Sequence, residues 1–175
     1  NVDSSVNWLL SRRKPATGLT WYLQIDSNNK TECTINGKKI TLLEDKKLSG
    51  TEPSGLIKAY NDYWFKITDT TKNFSISCDA DFVTSLIYQK PDSSTYYVSS
   101  ETHFAGAYDS TNEKVNAYCF SNGNVCDYEG SLWAVLALAK SGKDITPYIP
   151  YLSAISDDPV NKRFNPYAFL YMLYN

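Results

Sequence analysis

The sequence is poor in the residue types that most metal and catalytic sites use. It contains one histidine, one methionine and four cysteines among 175 residues. No two cysteines have the close spacing that zinc sites favour, and no Gly-x-Ser-x-Gly turn marks a nucleophilic serine. The single histidine, His103, lies in a polar stretch rich in Ser and Thr, where a surface position is the usual outcome. We therefore expect no metal, no cofactor and no catalytic activity.

The sequence also lacks long apolar runs and any excess of basic charge. No stretch approaches the roughly 18 consecutive apolar residues that indicate a membrane-spanning helix, and residues 132–139 are better interpreted as a buried helix. The chain has 17 Lys and Arg against 19 Asp and Glu, a net charge of −2, with no long basic run to neutralise phosphates. We therefore expect neither a membrane-spanning segment nor a nucleic-acid partner.

Apolar and aromatic residues, by contrast, are plentiful. Hydrophobic residues make up 42% of the chain, and 14 Tyr, 7 Phe and 4 Trp supply the aromatic rings. That content supports a packed core in one domain or in two small ones. Tyrosine combines a large apolar ring with a hydroxyl, so it suits wet surfaces and interfaces as well as cores.

The four cysteines predict two disulfides. Cys119 and Cys126 flank "FSNGNV", whose Asn-Gly turn can bring its two ends together. Cys33 and Cys78 both lie in the β region described below, where a bridge would staple it. Four cysteines allow three connectivities, and the alternative is four reduced thiols in a reducing compartment. We expect the pairs Cys119–Cys126 and Cys33–Cys78.

Two Asn-x-Ser/Thr triplets mark candidate N-glycosylation sites at Asn29 and Asn73. The chain also begins with Asn1 rather than Met, which we expect of a processed chain or of part of a longer protein. Together with the paired cysteines and the Ser/Thr/Asn-rich loops, these triplets favour an extracellular or cell-surface glycoprotein.

The first half of the sequence predicts an antiparallel β region. Alternating hydrophobicity from Leu19 to Ile25 is typical of a half-buried strand. Asn36-Gly37, between "TECTI" and "KKITLL", is the strongest hairpin signal in the chain. "YWFKI" and "NFSIS" predict two more strands, and the polar residues 44–62 before them predict a loop.

Helices are expected on both sides of that region. The first follows Ser4 or Ser5 and ends by Lys14-Pro15, because proline disfavours helical geometry at the residue before it. The second is expected from Asp79 or Asp81 to Lys90, on the apolar spacing of "FVTSLI".

The last third predicts further helices. Ser110 and Glu113 form a possible capping box before "KVNAYCF". Residues 128–144 predict a buried helix that Gly142 terminates. Thr146 and Pro147 then open another helix, and five connecting residues make the two an antiparallel hairpin.

Two stretches resemble the repeat of the prenyltransferase and squalene-cyclase superfamily, which runs from an apolar helix into Gln-Lys-x-Asp-Gly-Ser-Trp. In "SLIYQKPDSSTYY" the matching residues are Gln89, Lys90 and Asp92, and in "SRRKPATGLTW" they are Gly18 and Trp21. "DYEGSLWAVLALAKSGKD" resembles the inner helix of a further unit. The resemblance covers about 90 residues, in pieces.

The match also departs from the family pattern. Ser93 stands in place of the Gly, and Tyr96 or Tyr97 in place of the Trp; in the first copy, Arg12 or Arg13 stands where Gln is expected.

The resemblance implies an α+β fold in which helical-hairpin repeats of the α/α-toroid type carry an inserted antiparallel β region. Residues 1–18 and 79–175 would form the helical repeats, and residues 19–78 would form the insertion. Helical units of this kind bury their apolar faces only by stacking on neighbours.

The family's catalytic groups are not matched. Its cyclases use an Asp-x-Asp-Asp acid, and the nearest stretch here is Asp79-Ala80-Asp81-Phe82, which helix capping explains. Its protein prenyltransferases use Asp, Cys and His on zinc, and His103 has no such neighbour in sequence. Residues 26–32, "DSNNKTE", lack the Gly and distal Glu of a calcium loop and favour a β-turn.

The C-terminal stretch 166–174, "PYAFLYMLY", is apolar almost all round, so one core cannot cover every side of its helix. We expect it to pack partly on the 127–155 hairpin and partly on another copy. Phe169, Leu170 and Leu173 are the expected assembly interface, and the assembly is a homo-oligomer or filament.

These observations together favour a non-catalytic extracellular or cell-surface protein, structural or adhesive, that self-assembles through helical repeats. One alternative is a fragment of a terpenoid-cyclase-like enzyme whose catalytic acid lies outside these residues. The other is a small-ligand carrier of the cobalamin type, which rests on the toroid analogy alone.

Overall fold

A computed structural model describes residues 2–174, which fold into two compact units. The sandwich unit comprises Thr20–Gln89 and Ser93–Val115, and the helical unit comprises the residues before Thr20, Lys90–Asp92 and the residues after Val115. In chain order the elements are α1 (Val2–Arg12), β1 (Arg13–Pro15), β2 (Thr20–Asp26), β3 (Thr31–Ile35), β4 (Lys38–Leu42), β5 (Leu48–Gly50), β6 (Leu56–Ala59), β7 (Trp64–Ile67), β8 (Asn73–Cys78), β9 (Phe82–Gln89), β10 (Tyr97–Ala105), β11 (Ser110–Lys114), β12 (Tyr118–Asn122), β13 (Val125–Cys126), α2 (Tyr128–Lys140), a 3₁₀ turn (Thr146–Tyr148), α3 (Ile149–Ala154), α4 (Pro159–Lys162) and α5 (Pro166–Tyr174).

The sandwich unit consists of two five-stranded antiparallel sheets. The first sheet has the strand order β10-β9-β2-β7-β6, and the second sheet has the order β11-β8-β3-β4-β5. Alternate residues along the strands of the second sheet are buried, as expected when one face of a sheet meets a core. The largest buried side chains of the unit are Phe65, Phe74, Phe82, Leu23, Ile25, Ile35, Ile40, Leu42, Leu48 and Ile76.

The predicted hairpin is confirmed. β3 and β4 pair from Thr31 with Leu42 to Ile35 with Lys38, and the turn residues Asn36 and Gly37 have φ angles of 49° and 79°. Both positive values match the type I′ turn that Asn-Gly favours, because its twist agrees with that of the flanking strands.

The helix expected from Asp79 or Asp81 to Lys90 is wrong. Residues 82–89 form β9, which pairs with β2 on one side and β10 on the other. Seven of its eight residues are buried, since neighbouring strands and both faces cover it. A short apolar run of this kind fits a central strand and a buried helix equally well by spacing. Its aromatic and β-branched content, in Phe82, Val83, Thr84, Ile87 and Tyr88, suits the strand.

Two further local expectations are also wrong. Ser110 and Glu113 do not cap a helix, because they belong to β11, which pairs with β8. The expected loop 44–62 contains two short strands, β5 and β6.

The helical unit packs α2 against α3, α5 and β12. β1, β12 and β13 form a small antiparallel sheet beside these helices. The predicted helix ending at Gly142 is confirmed as α2, and Gly142 has a φ angle of 70°, the left-handed geometry of a helix C-terminus. The buried core of this unit includes Leu132, Val135, Leu138, Tyr148, Tyr151 and Leu152.

The α/α-toroid fold and the family resemblance are therefore wrong. Residues 2–174 contain three antiparallel sheets and five short helices, without a series of stacked helical hairpins. The Gln89-Lys90 motif follows a strand rather than a helix, and Trp21 lies within a strand. In one copy Lys90-Pro91 follows the strand β9, and in the other Lys14-Pro15 belongs to β1, directly after α1, so the two copies share a residue pattern but not a structure.

None of the helices within residues 2–174 has the length and apolar character needed to cross a membrane.

Candidate functional site

The two sheets of the sandwich unit carry different residues on their outer faces. The outward positions of the second sheet are polar or charged: Glu32, Thr34, Lys39, Thr41, Ser49, Asn73, Ser75, Ser77, Ser110, Asn112 and Lys114. The first sheet instead carries Tyr22 and Trp64 on its outer side, because the pairing sets both on the same face as Lys66 and Ile87. The outer face of the first sheet is therefore partly aromatic, whereas the outer face of the second sheet is polar.

Four rings form the aromatic cluster: Tyr22 on β2, Tyr60 in the β6–β7 loop, Trp64 on β7 and Tyr96 before β10. All six pairs among them have centroids 4.8–6.3 Å apart and ring planes inclined by 50° to 86°. These are the tilted and edge-to-face arrangements that aromatic rings prefer. The cluster is therefore a close-packed body of rings on the outside of the sheet.

A buried amide organises the hydroxyl groups of this cluster. Gln89 Oε1 accepts hydrogen bonds from the hydroxyls of Tyr22, at 3.1 Å, and Tyr60, at 3.2 Å. The Tyr96 hydroxyl donates to the Tyr60 hydroxyl, and Gln89 Nε2 donates to the carbonyl of Ser93. All of these groups are neutral hydrogen-bonding groups, so the network fixes ring orientation without introducing charge.

The surroundings of the two exposed tyrosines raise the pKa of each hydroxyl above its ordinary value. Partial burial, followed by the hydrogen bond to Tyr22, raises the pKa of Tyr60 above its ordinary value of 10.0. The hydrogen bond to Tyr60, followed by partial burial, raises the pKa of Tyr96 above the same value. Both hydroxyls are therefore protonated throughout the physiological pH range.

The loop that presents Tyr60 has an unusual backbone. Tyr60, Asn61 and Asp62 have φ angles of 53°, 54° and 70°. Asn and Asp adopt left-handed geometry readily, but for tyrosine the Cβ makes it unfavourable. Such strain persists only where surrounding contacts impose it, and it concentrates at functional positions. The Tyr63 amide donates to the Tyr60 carbonyl and the Leu48 amide donates to the Asp62 carbonyl, which hold the loop in place.

The rim of the cluster is open to solvent. Tyr60 is 41% exposed and Tyr96 is 37% exposed, whereas Tyr22 and Gln89 are buried beneath them. A ligand would therefore meet Tyr60 and Tyr96, with the buried pair holding them from below.

A second polar group lies inside the sandwich unit. Glu113 is 2% exposed, and its Oε1 accepts hydrogen bonds from Thr84 Oγ1, at 2.6 Å, and from His103 Nδ1, at 2.7 Å. His103 Nε2 lies 3.9 Å from Glu101. The Thr84 hydroxyl donates to the carboxylate and not to the imidazole, so this is not a nucleophile paired with a histidine base. The arrangement satisfies a buried carboxylate and links the two sheets.

The structure contains two disulfides, and they are the pairs expected from the sequence: Cys33–Cys78 and Cys119–Cys126. Cys33 and Cys78 lie directly opposite each other on β3 and β8. Cys119, on β12, and Cys126, on β13, close the short hairpin between those strands.

The sequon asparagines are both at the surface. Asn29 is exposed in the β2–β3 turn, and Asn73 is exposed on the outer face of the second sheet. Their positions leave both side chains accessible to a modifying enzyme, and their glycosylation stays a prediction.

The two acids of the Asp79-Ala80-Asp81 stretch hold loops rather than a ligand. Asp79 Oδ1 accepts hydrogen bonds from the Thr31 hydroxyl and, at 2.9 Å, from the Glu32 amide. Asp81 Oδ1 accepts one from the Ala107 amide at 3.0 Å. Across residues 2–174 no set of three His, Cys, Asp or Glu side chains is placed to hold a metal ion.

The expected assembly residues lie mostly on the inner side of α5. Phe169 is buried, with its ring edge-to-face against Trp133 at 4.7 Å, and Leu170 and Leu173 pack partly against the same core. The exposed apolar side chains of α5 are Tyr167, Tyr171, Met172 and Tyr174. Packing of α5 on α2 and α3 thus accounts for one side of the helix, and the assembly itself stays a prediction.

We predict that Asp79 titrates below the ordinary aspartate range and that Thr31 is the main reason. The Thr31 hydroxyl and the Glu32 amide lower the pKa of Asp79 from 3.8. Because the folded pKa is the lower one, Asp79 stabilises the fold at pH values above 3.8, and this contribution disappears as the pH falls through the folded pKa. NMR titration of the Asp79 carboxyl in Thr31→Val should show a higher pKa than in the wild type.

Thr31→Ser is the matched control for that titration, because it retains the hydroxyl. Both variants are compared in unglycosylated protein, since Thr31→Val also removes the sequon of Asn29. An identical pKa for Asp79 in Thr31→Val and in Thr31→Ser would contradict the assignment of the shift to this hydroxyl.

The aromatic cluster was missed by the sequence reasoning. Strand alternation places Tyr22 on the face of β2 that is opposite the core-facing Trp21. For Tyr96, however, the sequence predicts packing on a helix end. The only local signal was the turn sequence "YNDYW", residues 60–64, where consecutive Asn-Asp allows a left-handed loop between two aromatic residues.

No family model, no curated protein and no solved structure matches this chain, so the function has to be inferred from the geometry of the cluster itself.

Proposed function

We propose that this chain is a non-catalytic extracellular or cell-surface adhesive domain that attaches to its target through the aromatic cluster. The observation that carries the proposal is the cluster itself: four rings packed on one outer face of the sandwich, with Tyr60 held in left-handed backbone geometry and open to solvent. Exposed aromatic groups are costly in water and are enriched where proteins bind other molecules.

The location outside the cell rests on the disulfides. Both pairs form within the described chain, and disulfides of this structural kind persist in oxidising compartments. The exposed positions of Asn29 and Asn73 add support.

The absence of catalysis is supported by the roles of the polar side chains. A nucleophile must contact a general base, yet the Thr84 hydroxyl bonds the Glu113 carboxylate and His103 lies between Glu113 and Glu101. Asp79 and Asp81 are bonded to neighbouring turns. These groups are each engaged in holding the fold.

Adhesion of the domain to defined surfaces tests this proposal. Beads coated with the domain are applied to surfaces of polysaccharide, matrix protein or phospholipid. We expect wild-type beads to bind one of these surfaces, and Tyr60→Asn together with Tyr96→Ser to reduce the bound fraction by about tenfold, because both exposed rings are lost. Asn tolerates the backbone geometry at position 60, so the loop can keep its conformation.

Tyr108→Ala is the control, because Tyr108 is an 80% exposed tyrosine of the same unit, with a φ angle of 66° like that of Tyr60, but lies outside the cluster. It should bind like the wild type, and matched melting temperatures should show that all variants are folded. Failure of the wild type to bind any surface, or equal binding by the double variant, would overturn the proposal.

A further inference from the structure

We infer that the target of the aromatic cluster is an uncharged carbohydrate, whose pyranose rings stack on Tyr60 and Tyr96. This inference rests on the proposed function and names its ligand class.

The packing of the cluster excludes ligands that insert between rings. Centroids of Tyr60, Trp64 and Tyr96 are 4.8–5.5 Å apart, with the edge of one ring on the face of another. At these separations the rings fill the space between them. An aromatic cage for a quaternary ammonium requires rings that surround the cation, and a proline-rich peptide requires slots between separated rings. The ligand must therefore lie on the outside of the cluster.

The charge of the cluster favours an uncharged ligand. Its polar groups are three tyrosine hydroxyls, the Trp64 indole N–H and the Gln89 amide, and among the described hydrogen bonds none joins a charged side chain to the cluster. Lys66 is opposite Tyr22 in the sheet and is exposed, but it is a single cation. Sulfate, phosphate and anionic lipid surfaces are recognised by Arg or by several basic groups. A neutral, hydrogen-bonding molecule fits this surface better.

A pyranose ring has the complementary chemistry. Its axial C–H groups form an apolar face that can lie on an aromatic ring, and its hydroxyls at the edge donate and accept hydrogen bonds. The cluster offers an apolar surface and a hydrogen-bonding group at one place. The exposed rings are those of Tyr60 and Tyr96. The Tyr96 hydroxyl oxygen is an available acceptor, because its hydrogen is donated to Tyr60. Apolar contact with a few placed polar groups is typical of small-molecule sites.

The buried residues beneath these rings act by positioning. Gln89 is buried and accepts hydrogen bonds from Tyr22 and Tyr60, so it sets the orientation of the Tyr60 ring without reaching the ligand. Gln89→Leu removes these bonds and should weaken binding while the ring itself remains. Gln89→Met should weaken binding as well, because it lacks the acceptor oxygen although it keeps the length of the side chain. Wild-type binding by Gln89→Met would show that the amide acts through packing alone.

Titration with defined oligosaccharides, followed by NMR of the full chain, tests the inference. The neutral probes are cellohexaose, mannohexaose and chitohexaose, and the comparison probes are a heparin oligosaccharide and a proline-rich peptide. We expect one neutral probe to bind saturably, with shifts at the Trp64 indole and the Tyr60 and Tyr96 amides. Tyr60→Asn should weaken that binding by about tenfold, and Tyr108→Ala should leave it unchanged.

The outcomes separate this inference from the proposed function. If the cluster variants abolish adhesion to a protein or lipid surface but no neutral oligosaccharide binds, the ligand class is wrong and the adhesive function stands. Preferential binding of the heparin oligosaccharide or of the peptide also overturns the ligand class. Oligosaccharide shifts that occur away from the cluster, or an affinity for the oligosaccharide that is unchanged in Tyr60→Asn, overturn the assignment of the site.

Discussion

Replacing both Cys33 and Cys78 with alanine is expected to lower the free energy of unfolding by about 4 kcal/mol. The disulfide joins residues 45 positions apart in sequence, and the chain-entropy model assigns its stabilisation to restriction of the unfolded chain. Both cysteines are buried on neighbouring strands of the second sheet. This loss is a large fraction of the 5–15 kcal/mol that typically separates folded from unfolded domains.

The matched comparison is the pair Cys119→Ala and Cys126→Ala. These residues are only 7 positions apart, so the same model assigns their bond about 2.5 kcal/mol. Chemical denaturation gives the free energy of unfolding of each double variant. Hydrogen exchange then assigns each loss of stability to the sandwich unit or the helical unit. A smaller loss for the Cys33–Cys78 pair than for the Cys119–Cys126 pair would contradict the entropic account of these bonds.

Phe65→Ala is expected to lower the free energy of unfolding of the sandwich unit by about 3–5 kcal/mol. Phe65 is 0% exposed on β7 and pairs with Leu23 of β2 and Lys58 of β6. Its removal loses buried apolar contacts and leaves a cavity that the surrounding strands fill only in part.

Phe104→Ala makes the same chemical change on the first sheet at a position that is 70% exposed, and it should change stability by no more than about 0.5 kcal/mol. Denaturant midpoints with unchanged m-values check both variants. Similar losses at the two positions would show that the assigned faces of the first sheet are wrong.

Short-range signals were read correctly from the sequence. Asn36-Gly37 predicts the β3–β4 hairpin because two neighbouring residues decide the turn geometry. The C-terminal ends of α1 and α2 were predicted in place, since Pro15 and Gly142 mark them locally. The expected cap at Ser4 or Ser5 is wrong, because both residues lie within α1, which begins at Val2. The disulfide pairs expected from the sequence are also the pairs present in the structure.

The error at β9 has a different origin. The apolar spacing of residues 82–87 fits a central strand and a buried helix equally well, and their aromatic and β-branched content favours the strand only weakly. Pairing with β2 and β10 decides between them, and β2 lies some sixty residues earlier in the chain. The family resemblance depends on the same false helix, because its pattern requires Gln89-Lys90 to end a helix and Gln89 ends a strand.

By itself, the sequence determined the Asn36-Gly37 turn, the C-terminal ends of α1 and α2, the disulfide-forming cysteines and the aromatic-rich composition, because each depends on residue type or on near neighbours. Only the tertiary structure decided that Tyr22, Tyr60, Trp64 and Tyr96 meet on one face and that Gln89 lies beneath them. Those residues are separated by up to 74 positions in the chain (22 to 96). The strand register and the β6–β7 loop bring them together, and neither can be read from the spacing of single residues.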